Sequence, residues 1–418
     1  FTPTVMNRRD GNVVAFLMEL EYLEVDMPSG YSREEEKALL HANNPASVSA
    51  AMSDSVNLKR PNIIVIMNEA FSDPAVLLSK QSDPASGLPV NQDYMPYVHE
   101  LMEGTTENTI TGYANVSILG GNTANSEFEF LTGATMAFLP PGSVPYQQYV
   151  HDKMPSLASQ LASLGYSTIA LHPYNADGWE RDRVYPLLGF QRFLSLNDME
   201  YRHSIRNYLS DQACYSQIIS LYEEKAAHTP LFTFAVTMQN HGGYTDKDPT
   251  LPVNVEVDLP HATTLNRYLS LILRSDNALE RFIRYFEEEE EDTMIVFFGD
   301  HQPTSSVTNP VLQGNGIDLT SFSEENSVLK YKVPYLIWAN FEIEDANAQE
   351  TSLNYLALDI LKNCNLPENA YQTILKEIRE DYPIVSAMRA EDAQGQVVDI
   401  SALEEYQQLQ YYILFDES

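Results

Sequence analysis

The stretch NIIVIMNEAFSDP, residues 62–74, changes from an apolar run to polar residues within two positions. A short aliphatic run of this kind is typical of a strand buried on both faces, as in parallel sheets. The run ends at Asn68 and Glu69, so a carboxylate stands where the predicted strand stops. Ligands of open parallel sheets bind beyond the carboxyl ends of the strands. The residues that follow the other apolar runs are therefore the first candidates for a functional site.

Three further apolar runs also end in polar residues that could bind a ligand. These residues are His172 after residues 167–171, Thr237, Asn240 and His241 after residues 232–236, and Asp300 and His301 after residues 295–298. A single histidine or aspartate at a strand end is usually a loop residue, but four such ends on one edge are difficult to attribute to chance. Glutamate, aspartate and histidine form a mixed oxygen and nitrogen donor set that suits Mn²⁺, Mg²⁺ or Zn²⁺. The sequence therefore predicts a divalent cation at this edge.

A candidate nucleophile lies in GGNTANSEFEFLTG, residues 120–133. Two glycines allow a tight turn, and the polar residues after them indicate the start of a helix. Free N–H groups and the dipole at a helix start favour a phosphate group, and a metal ion can activate a nearby hydroxyl. The hydroxyl of Thr123 is thus a candidate nucleophile, with a simple helix cap as the alternative interpretation.

Composition restricts the partners of the protein. The 418 residues include 59 Asp and Glu against 25 Lys and Arg, for a net charge of −34. A surface of this charge repels nucleic acid, so no nucleic-acid partner is expected. Cys214 and Cys364 are too few for a disulfide framework, although one bridge remains open. No apolar run reaches the roughly 18 residues of a transmembrane helix. Because the chain begins with Phe1, we expect it to be part of a longer protein.

Taken together, these pieces resemble the extracellular catalytic domain of lipoteichoic acid synthases and their phosphoglycerol transferase relatives, in the sulfatase and alkaline phosphatase superfamily. The resemblance covers roughly residues 60 to 340. Its motifs are the strand ending at Glu69, a T-x-x-x-E-F match at TANSEF (residues 123–128), N-H in TMQNH (residues 237–241), G-D-H at residues 299–301, and H-x₆-W-x-R-D at residues 172–182. Departures at Asn68, at residues 71–74 and at Gln302-Pro303 leave the acceptor of the reaction open.

The resemblance implies roles for individual residues. Glu69, Thr123, Asp300 and His301 would surround one divalent metal ion, for which we expect Mn²⁺, with Mg²⁺ and Zn²⁺ as alternatives. Thr123 would be the nucleophile that carries a covalent phosphoglycerol group, and the residues of the substrate pocket would be His172, Trp179, Arg181 and His241. The donor would be phosphatidylglycerol and the acceptor a cell-surface glycan or teichoic acid. A transmembrane region outside this chain would anchor the domain at the outer face of a cell membrane.

The order of elements predicts an α/β fold with a mostly parallel central sheet and helices on both faces. Residues 1–57 are predicted to form an N-terminal juxtamembrane arm, residues 58–340 the sulfatase-like catalytic domain, and residues 341–418 a small C-terminal subdomain. In the arm, VVAFLMELEYLEV (residues 13–25) is expected to be a short helix or strand, and a helix is expected to start at Ser32. LQYYILF (residues 409–415) is predicted to be a short strand.

Other members of the superfamily agree less well with the sequence. A sulfatase needs a cysteine or serine in a C-x-P-x-R motif, which neither Cys214 nor Cys364 provides. Phosphoethanolamine transferases usually carry several disulfides and more histidine ligands, and two-zinc phosphodiesterases need a second ligand set. A phosphoethanolamine transferase, a phosphodiesterase, a cytosolic phosphopentomutase-type enzyme and an inactive surface module that binds glycerophosphate remain as alternatives.

Overall fold

The structure is a computed structural model, and it describes residues 25–43, 60–78, 87–244, 248–314, 316–319 and 327–416. The stretch VVAFLMELEYLEV therefore lies almost entirely outside the described residues. The helix expected at Ser32 is present as Arg33–Ala42, and the Ser32 hydroxyl accepts a hydrogen bond from the Glu35 backbone N–H. Among the described residues, no helix combines the length and the apolar character that a membrane span requires.

The strands, in chain order, are β1 Asn62–Asn68, β2 Thr109–Asn115, β3 Ser167–Leu171, β4 Arg192–Leu194, β5 Ser204–Ile205, β6 Tyr208–Leu209, β7 Leu231–Val236, β8 Thr293–Gly299, β9 Lys332–Ala339, β10 Ala346–Ser352, β11 Ile384–Ser386, β12 Arg389–Glu391 and β13 Val397–Val398. The α-helices are α1 Arg33–Ala42, α2 Pro96–Met102, α3 Thr123–Thr132, α4 Pro145–Gln148, α5 Leu157–Ser163, α6 Arg181–Leu187, α7 Asp211–Glu224, α8 Thr263–Glu287, α9 Ser305–Gly314, α10 Leu353–Asn363, α11 Ala370–Asp381 and α12 Glu404–Phe415.

Eight strands form the central sheet in the order β10-β2-β9-β8-β1-β7-β3-β4. The pairings of β8, β1, β7, β3 and β4 are parallel, whereas β9 runs antiparallel to both of its neighbours. The predicted α/β fold with a mostly parallel sheet is therefore confirmed. The four strands whose ends were predicted to carry the site are consecutive neighbours, because β8, β1, β7 and β3 lie side by side.

Alternate residues of β1 enter two separate hydrophobic cores. Ile63, Val65 and Met67 face one core, and Ile64 and Ile66 face the other. Helices α3, α5, α10, α11 and α12 contribute to the first core, and helices α7, α8 and α9 contribute to the second. Because both faces of β1 are covered, all seven of its residues are buried. The residues at its carboxyl end are thereby held on a rigid element.

The C-terminal part differs from the sequence interpretation in two places. LQYYILF is not a strand but the last two turns of helix α12, because Leu409, Tyr412 and Ile413 recur at helical spacing and are buried in the first core. Strand β10 pairs with β2 in the central sheet although it lies beyond residue 340. The short antiparallel sheet of β11, β12 and β13 follows it. The division of the chain at residues 57 and 340 remains a prediction.

Candidate active site

Two neighbouring strands bring three candidate metal ligands together. Glu69 follows β1, and Asp300 and His301 follow β8, which is its parallel neighbour. One ligand atom from each residue can be chosen so that all lie within 4.8 Å of one another. The two strand ends approach closely, since a Cβ atom at Gly299 would lie 1.9 Å from the Phe71 carbonyl oxygen. A glycine is therefore required where these two loops meet.

Two ligand atoms of this cluster have no hydrogen-bond partner among the described residues, as expected for a cation-binding site. The Oδ1 atom of Asp300 accepts hydrogen bonds from the backbone N–H groups of Ala70 (2.7 Å) and His301 (2.9 Å). The Nδ1 atom of His301 lies 3.0 Å from the Gln302 carbonyl oxygen, so it donates and Nε2 keeps its lone pair. The Asp300 Oδ2 and His301 Nε2 atoms are buried and have no hydrogen-bond partner among the described residues. They lie 3.2 Å apart. Buried polar atoms of this kind normally have partners, and a metal ion would supply one.

The electrostatics of Glu69 lead to the same conclusion. Burial, followed by the charge of Asp300, raises the pKa of Glu69 well above its usual range. The Arg181 charge and the Thr123 hydroxyl lower the pKa of Glu69, but by less. Two carboxylates in a buried site are costly to keep ionised without a nearby positive charge. A divalent cation between Glu69 and Asp300 would supply that charge.

Thr123 is the first residue of helix α3 and lines the same cleft. The preceding turn uses left-handed backbone at Gly120 (φ 69°) and Asn122 (φ 63°). The Gly120 N–H donates to the Gln302 carbonyl oxygen at 2.9 Å, which fastens the turn beside His301. The alternative interpretation of Thr123 as the helix cap is wrong, because the cap residue is Asn122.

The cleft has a volume of about 440 Å³ and contains most of the predicted site residues. The predicted residues in its lining are Glu69, Thr123, His172, Trp179, Arg181, His241 and His301. Asp300 is not among the lining residues and is fully buried. The four strand ends and the helix start therefore open into one space, large enough for a small phosphate ester.

The position of Arg181 differs from what the sequence analysis anticipated. The alternative to a substrate role was a solvent pairing with Glu180 or Asp182, but the buried guanidinium pairs with Glu127, with Nε and Oε1 3.0 Å apart. Glu127 lies one helical turn after Thr123 on α3 and is itself fully buried, so it needs a counter-charge. Burial acts to lower the pKa of Arg181, but the Glu127 carboxylate raises it, so the guanidinium stays charged.

Arg181 is anchored on a second side as well. Its Nη1 atom donates to the Gly178 carbonyl oxygen at 3.1 Å. The Tyr185 hydroxyl donates to Glu127 Oε2 at 2.8 Å, which completes the support of the pair. Arg181 still lines the cleft. The ion pair therefore fixes a buried positive charge at the wall of the cleft.

Trp179 lies in a strained segment of backbone. Its φ angle is 59° and that of Glu180 is 58°, which places two consecutive non-glycine residues in the left-handed region. Ala70, directly after Glu69, also has a positive φ of 47°. Such conformations are unfavourable for residues with a Cβ atom and are frequent at functional sites. Residues of this kind also occur elsewhere in the described chain, but Ala70, Asn122 and Trp179 line this cleft.

The two histidines of the predicted pocket are held in different ways. The Nδ1 atom of His172 lies 3.0 Å from the Val236 carbonyl oxygen and donates to it. Burial, and then the charge of Arg181, lowers the pKa of His172 well below its usual range, so the imidazole is neutral and Nε2 is an acceptor. His241 is exposed, and its Nδ1 atom lies 2.9 Å from the Tyr208 hydroxyl. Partial desolvation of its ring in the cleft lowers the pKa of His241.

A buried polar network behind the cleft was not predicted from the sequence. The Asn68 amide donates to Asp211 Oδ2 at 2.8 Å, and the Asn240 amide donates to Asn68 Oδ1 at 2.9 Å. The Ser275 hydroxyl donates to Asp211 Oδ2 at 2.5 Å. Asn68 precedes Glu69, and Asn240 precedes His241. The network therefore ties the ends of β1 and β7 to helices α7 and α8.

Aromatic residues at the cleft were also missed. Tyr174 and Tyr244 line the cleft, and the Tyr208 ring lies 5.1 Å from the His241 ring. The guanidinium of Arg206 lies 5.3 Å from the centre of the Tyr208 ring and donates to the His241 carbonyl oxygen at 2.7 Å. Tyr174 was within reach of sequence reasoning, since it lies two residues after His172. Tyr208 and Arg206 lie in a short hairpin without an apolar run, which gave no signal.

The sequence model of the sulfatase family matches residues 61–365, which is most of the chain. The chain therefore belongs to the sulfatase family. Among curated proteins, it is 30% identical over 383 residues to a Rhizobium meliloti (strain 1021) protein named for cyclic beta-1,2-glucan modification, covering 90% of this chain and 56% of the relative. It is 24% identical over 279 residues to the lipoteichoic acid synthase of Staphylococcus aureus (strain USA300), covering 64% of this chain and 40% of the synthase. The chain thus spans about half the length, or less, of these relatives.

Solved structures share the fold. The phosphoglycerol transferase GacH of Streptococcus pyogenes, in complex with sn-glycerol-1-phosphate, aligns with a TM-score of 0.70 and 21% identity, over 93% of this chain and 95% of that chain. The lipoteichoic acid synthase LtaP of Listeria monocytogenes aligns with a TM-score of 0.60 and 18% identity, over 85% of this chain and 91% of that chain.

Proposed function

We propose that this sulfatase-family domain is a metal-dependent phosphoglycerol transferase that uses Thr123 as its nucleophile. The proposed donor is phosphatidylglycerol. The observation that carries the proposal is the convergence, in one cleft, of the Thr123 hydroxyl, the Glu69, Asp300 and His301 cluster, and the buried charge of Arg181. The relatives named for phosphoglycerol transfer and for lipoteichoic acid synthesis support this reaction class.

Glu69, Asp300 and His301 would hold the cation, with the Thr123 hydroxyl beside them. When bound, the cation would lower the pKa of that hydroxyl and polarise a phosphoryl oxygen. We expect Mn²⁺, with Mg²⁺ and Zn²⁺ as alternatives, because all three accept this mixed donor set. Within the described residues, this is the one cluster of three carboxylate or histidine ligands that could hold a metal. A one-metal reaction is therefore favoured over a two-metal phosphodiesterase.

The proposed reaction proceeds in two displacement steps at Thr123. The Thr123 hydroxyl loses its proton and its oxygen attacks the phosphorus of the donor. The bond from phosphorus to the diacylglycerol oxygen breaks, diacylglycerol leaves with a proton on that oxygen, and a phosphoglycerol ester of Thr123 forms. A hydroxyl of the acceptor then displaces Thr123 and receives the phosphoglycerol group. Covalent catalysis of this kind divides one difficult displacement into two easier ones.

The pocket residues have complementary roles toward the glycerol phosphate group. Arg181, held by Glu127, presents a fixed positive charge to the phosphate. His172 is neutral and offers Nε2 as an acceptor, which suits a glycerol hydroxyl rather than a phosphate oxygen. Trp179 and the exposed imidazole of His241 line the rest of the cleft, where the leaving group and the acceptor would pass.

We propose a carbohydrate hydroxyl as the acceptor. The relative named for glucan modification matches 90% of this chain, against 64% for the Staphylococcus aureus synthase. Both the donor lipid and a surface glycan are accessible at the outside of a cell membrane, so we propose that location for the domain. A teichoic acid acceptor is the second candidate, supported by the match to the synthase.

The experiment follows release of diacylglycerol from a fluorescent phosphatidylglycerol in detergent micelles with added Mn²⁺. The wild-type domain should release it, and mass spectrometry should find a phosphoglycerol adduct on the peptide that contains Thr123. Thr123→Ala should lose both signals. Thr132→Ala is the matched control, because Thr132 lies on the same helix, bonds the Phe128 carbonyl oxygen and does not line the cleft.

Parallel reactions separate the alternatives. Faster turnover of phosphatidylethanolamine than of phosphatidylglycerol would indicate a phosphoethanolamine transferase. Binding of glycerol phosphate without turnover of any lipid would indicate an inactive surface module. Transfer to β-1,2-glucan, but not to a glycerol phosphate polymer, would identify the carbohydrate as the acceptor.

A further inference from the structure

A second cleft, with a volume of about 450 Å³, is as large as the first. The two clefts meet at the β5–β6 hairpin, because Ile205 lines the second cleft and Tyr208 contacts His241 of the first. The polar residues that characterise the second cleft are His203, Ser210, Gln212, Asn254, Arg274 and Arg281. None of the described residues in its lining is Asp or Glu, although the chain contains 59 of them.

The positive charge of this cleft comes from helix α8. Arg274 and Arg281 are seven residues apart, so they project from the same face of the helix. Arg281 is oriented by a hydrogen bond from its Nε atom to Gln212 Oε1 at 2.7 Å. Arg274 makes no hydrogen bond or ion pair with any residue that the structure describes. Two arginines without carboxylates are therefore available to an anionic ligand.

Three acidic residues lie next to lining residues in sequence, and each is engaged elsewhere: Glu280 pairs with Arg284 at 2.8 Å, and Asp211 and Asp276 accept hydrogen bonds. Asp211 accepts hydrogen bonds from Asn68 and Ser275 in the network behind the first cleft. Asp276 accepts hydrogen bonds from the backbone N–H groups of Tyr97 (3.0 Å) and Val98 (2.9 Å), at the start of helix α2. Neither carboxylate is placed to neutralise the arginines. The local charge is thus opposite in sign to the net charge of −34.

We propose that the second cleft binds an anionic carbohydrate, meaning a sugar or polyol that carries a phosphate ester. A planar guanidinium matches the oxygens of a phosphate group. The side-chain amides of Gln212 and Asn254 can bond sugar hydroxyls, since an amide group carries both donors and an acceptor. This binding site goes beyond the transfer reaction and does not depend on it.

The test is calorimetric titration of glucose 6-phosphate into the protein at low salt, in the presence of EDTA and without lipid. The wild type should bind it, the affinity should fall as salt is added, and glucose should bind far more weakly. Arg274→Ala and Arg281→Ala should each weaken binding by about tenfold or more, as expected for loss of a charged hydrogen bond. Arg274→Lys should bind more tightly than Arg274→Ala but less tightly than the wild type, because lysine keeps the positive charge but lacks the planar pair of donors of a guanidinium.

Arg284→Ala is the matched control. Arg284 lies one turn further along α8, pairs with Glu280 at 2.8 Å and does not line the second cleft. The Arg284→Ala variant should bind glucose 6-phosphate with the same affinity as the wild type. Equal affinity in the wild type and in the Arg274→Ala/Arg281→Ala double variant would overturn the proposal. Because the titration contains neither donor lipid nor metal, its failure would leave the proposed transfer reaction unaffected.

Discussion

Two carboxylates that lie four residues apart, Glu69 and Asp73, are both buried, but their surroundings differ. Asp73 accepts hydrogen bonds from the Ala75 N–H (2.9 Å), from the Tyr113 hydroxyl (2.8 Å) and from the Tyr94 hydroxyl. The His99 ring adds a positive charge, with Nε2 3.9 Å from Asp73 Oδ2. Although burial acts to raise it, the contact with His99 and the two tyrosines holds the pKa of Asp73 below its usual value.

Glu69 has no comparable set of donors within the described residues. Its nearest ionisable neighbours include a second carboxylate, Asp300, and the pKa of Glu69 is raised by burial and by that charge. The fold therefore satisfies the charge of Asp73 by itself, whereas the charge of Glu69 is left for a ligand. The comparison separates a carboxylate that the fold itself stabilises from one that we propose to be a metal ligand.

The largest expected effect is the difference in stability between two variants of the metal-free protein, Asp73→Asn and Glu69→Gln, each of which neutralises one carboxylate. Asp73→Asn should lower the free energy of unfolding by about 3 kcal/mol, because it removes one member of a buried, hydrogen-bonded charge network. Glu69→Gln should leave stability unchanged or raise it by about 1 kcal/mol, because it removes an unpaired buried charge. Urea unfolding at pH 7 in EDTA measures both. A loss in Glu69→Gln as large as that in Asp73→Asn would contradict the comparison.

Added metal should act on only one of the two carboxylates. A ligand that binds only the folded state at one hundred times its dissociation constant stabilises by about 2.7 kcal/mol. Mn²⁺ should therefore raise the melting temperature of the wild type and of Asp73→Asn by similar amounts. Glu69→Gln should show little or no shift in thermal melts with increasing Mn²⁺. An undiminished shift in Glu69→Gln would place the metal elsewhere.

Glu127 is a third buried carboxylate, and its charge is satisfied by Arg181. Arg181→Ala should weaken binding of glycerol phosphate by about 1.5–3 kcal/mol, the range for a hydrogen bond to a charged group. It should also destabilise the fold, because Glu127 loses its counter-charge. Arg181→Lys should recover part of the binding. Titration of glycerol phosphate in the presence of Mn²⁺ measures the affinity.

A double variant separates the two roles of Arg181. Arg181→Met with Glu127→Gln removes both charges, so stability should return toward the wild type while glycerol phosphate binding stays weak. Wild-type affinity in this double variant would show that Arg181 serves only to neutralise Glu127.

The smallest effect concerns the pH dependence that His99 confers. Burial acts to lower the pKa of His99, but Asp73 and Asp93 raise it to about 9. A folded-state pKa above the unfolded value means that the stabilisation is complete below about pH 6.5 and is lost as the pH rises toward 9. The His99 side chain is 33% exposed, so we expect a loss of only about 1 kcal/mol. Urea unfolding of the wild type between pH 6.5 and 9 should show this slope, and His99→Asn should not.

The strand ends that carry the site could be predicted because each of these strands is visible in a short stretch of sequence. All residues of β1, β7 and β8 are buried. A run of apolar residues therefore indicates each strand, and the first polar residue after the run indicates where the strand ends. β2 was missed because TITGYAN has no such run, and its Gly112 is needed where a Cβ atom would lie 1.9 Å from the Gln349 carbonyl oxygen. β10 was missed because most of its residues are exposed at the edge of the sheet.

Pairings between distant residues were beyond sequence reasoning. Glu127 and Arg181 are 54 residues apart, and neither one carries a pattern that identifies the other. Motif spacing predicted a substrate-binding role for Arg181, but only the fold shows that its Nε and Nη2 atoms bond Glu127 and that its Nη1 atom bonds the Gly178 carbonyl oxygen. The Asn68–Asp211 contact spans 143 residues and escaped notice for the same reason.

The pairing of β2 with β10 has a consequence for the order of folding. β2 ends at Asn115 and its partner begins at Ala346, so one edge of the central sheet stays open until the last quarter of the chain is available. Contacts between residues so distant form slowly, because the loop between them must close first. A chain truncated near residue 340 would leave the hydrogen-bonding groups of β2 exposed, and such open edges promote aggregation. Expression fragments that end near residue 340, the predicted boundary of the catalytic domain, should therefore be less soluble than the 418-residue chain.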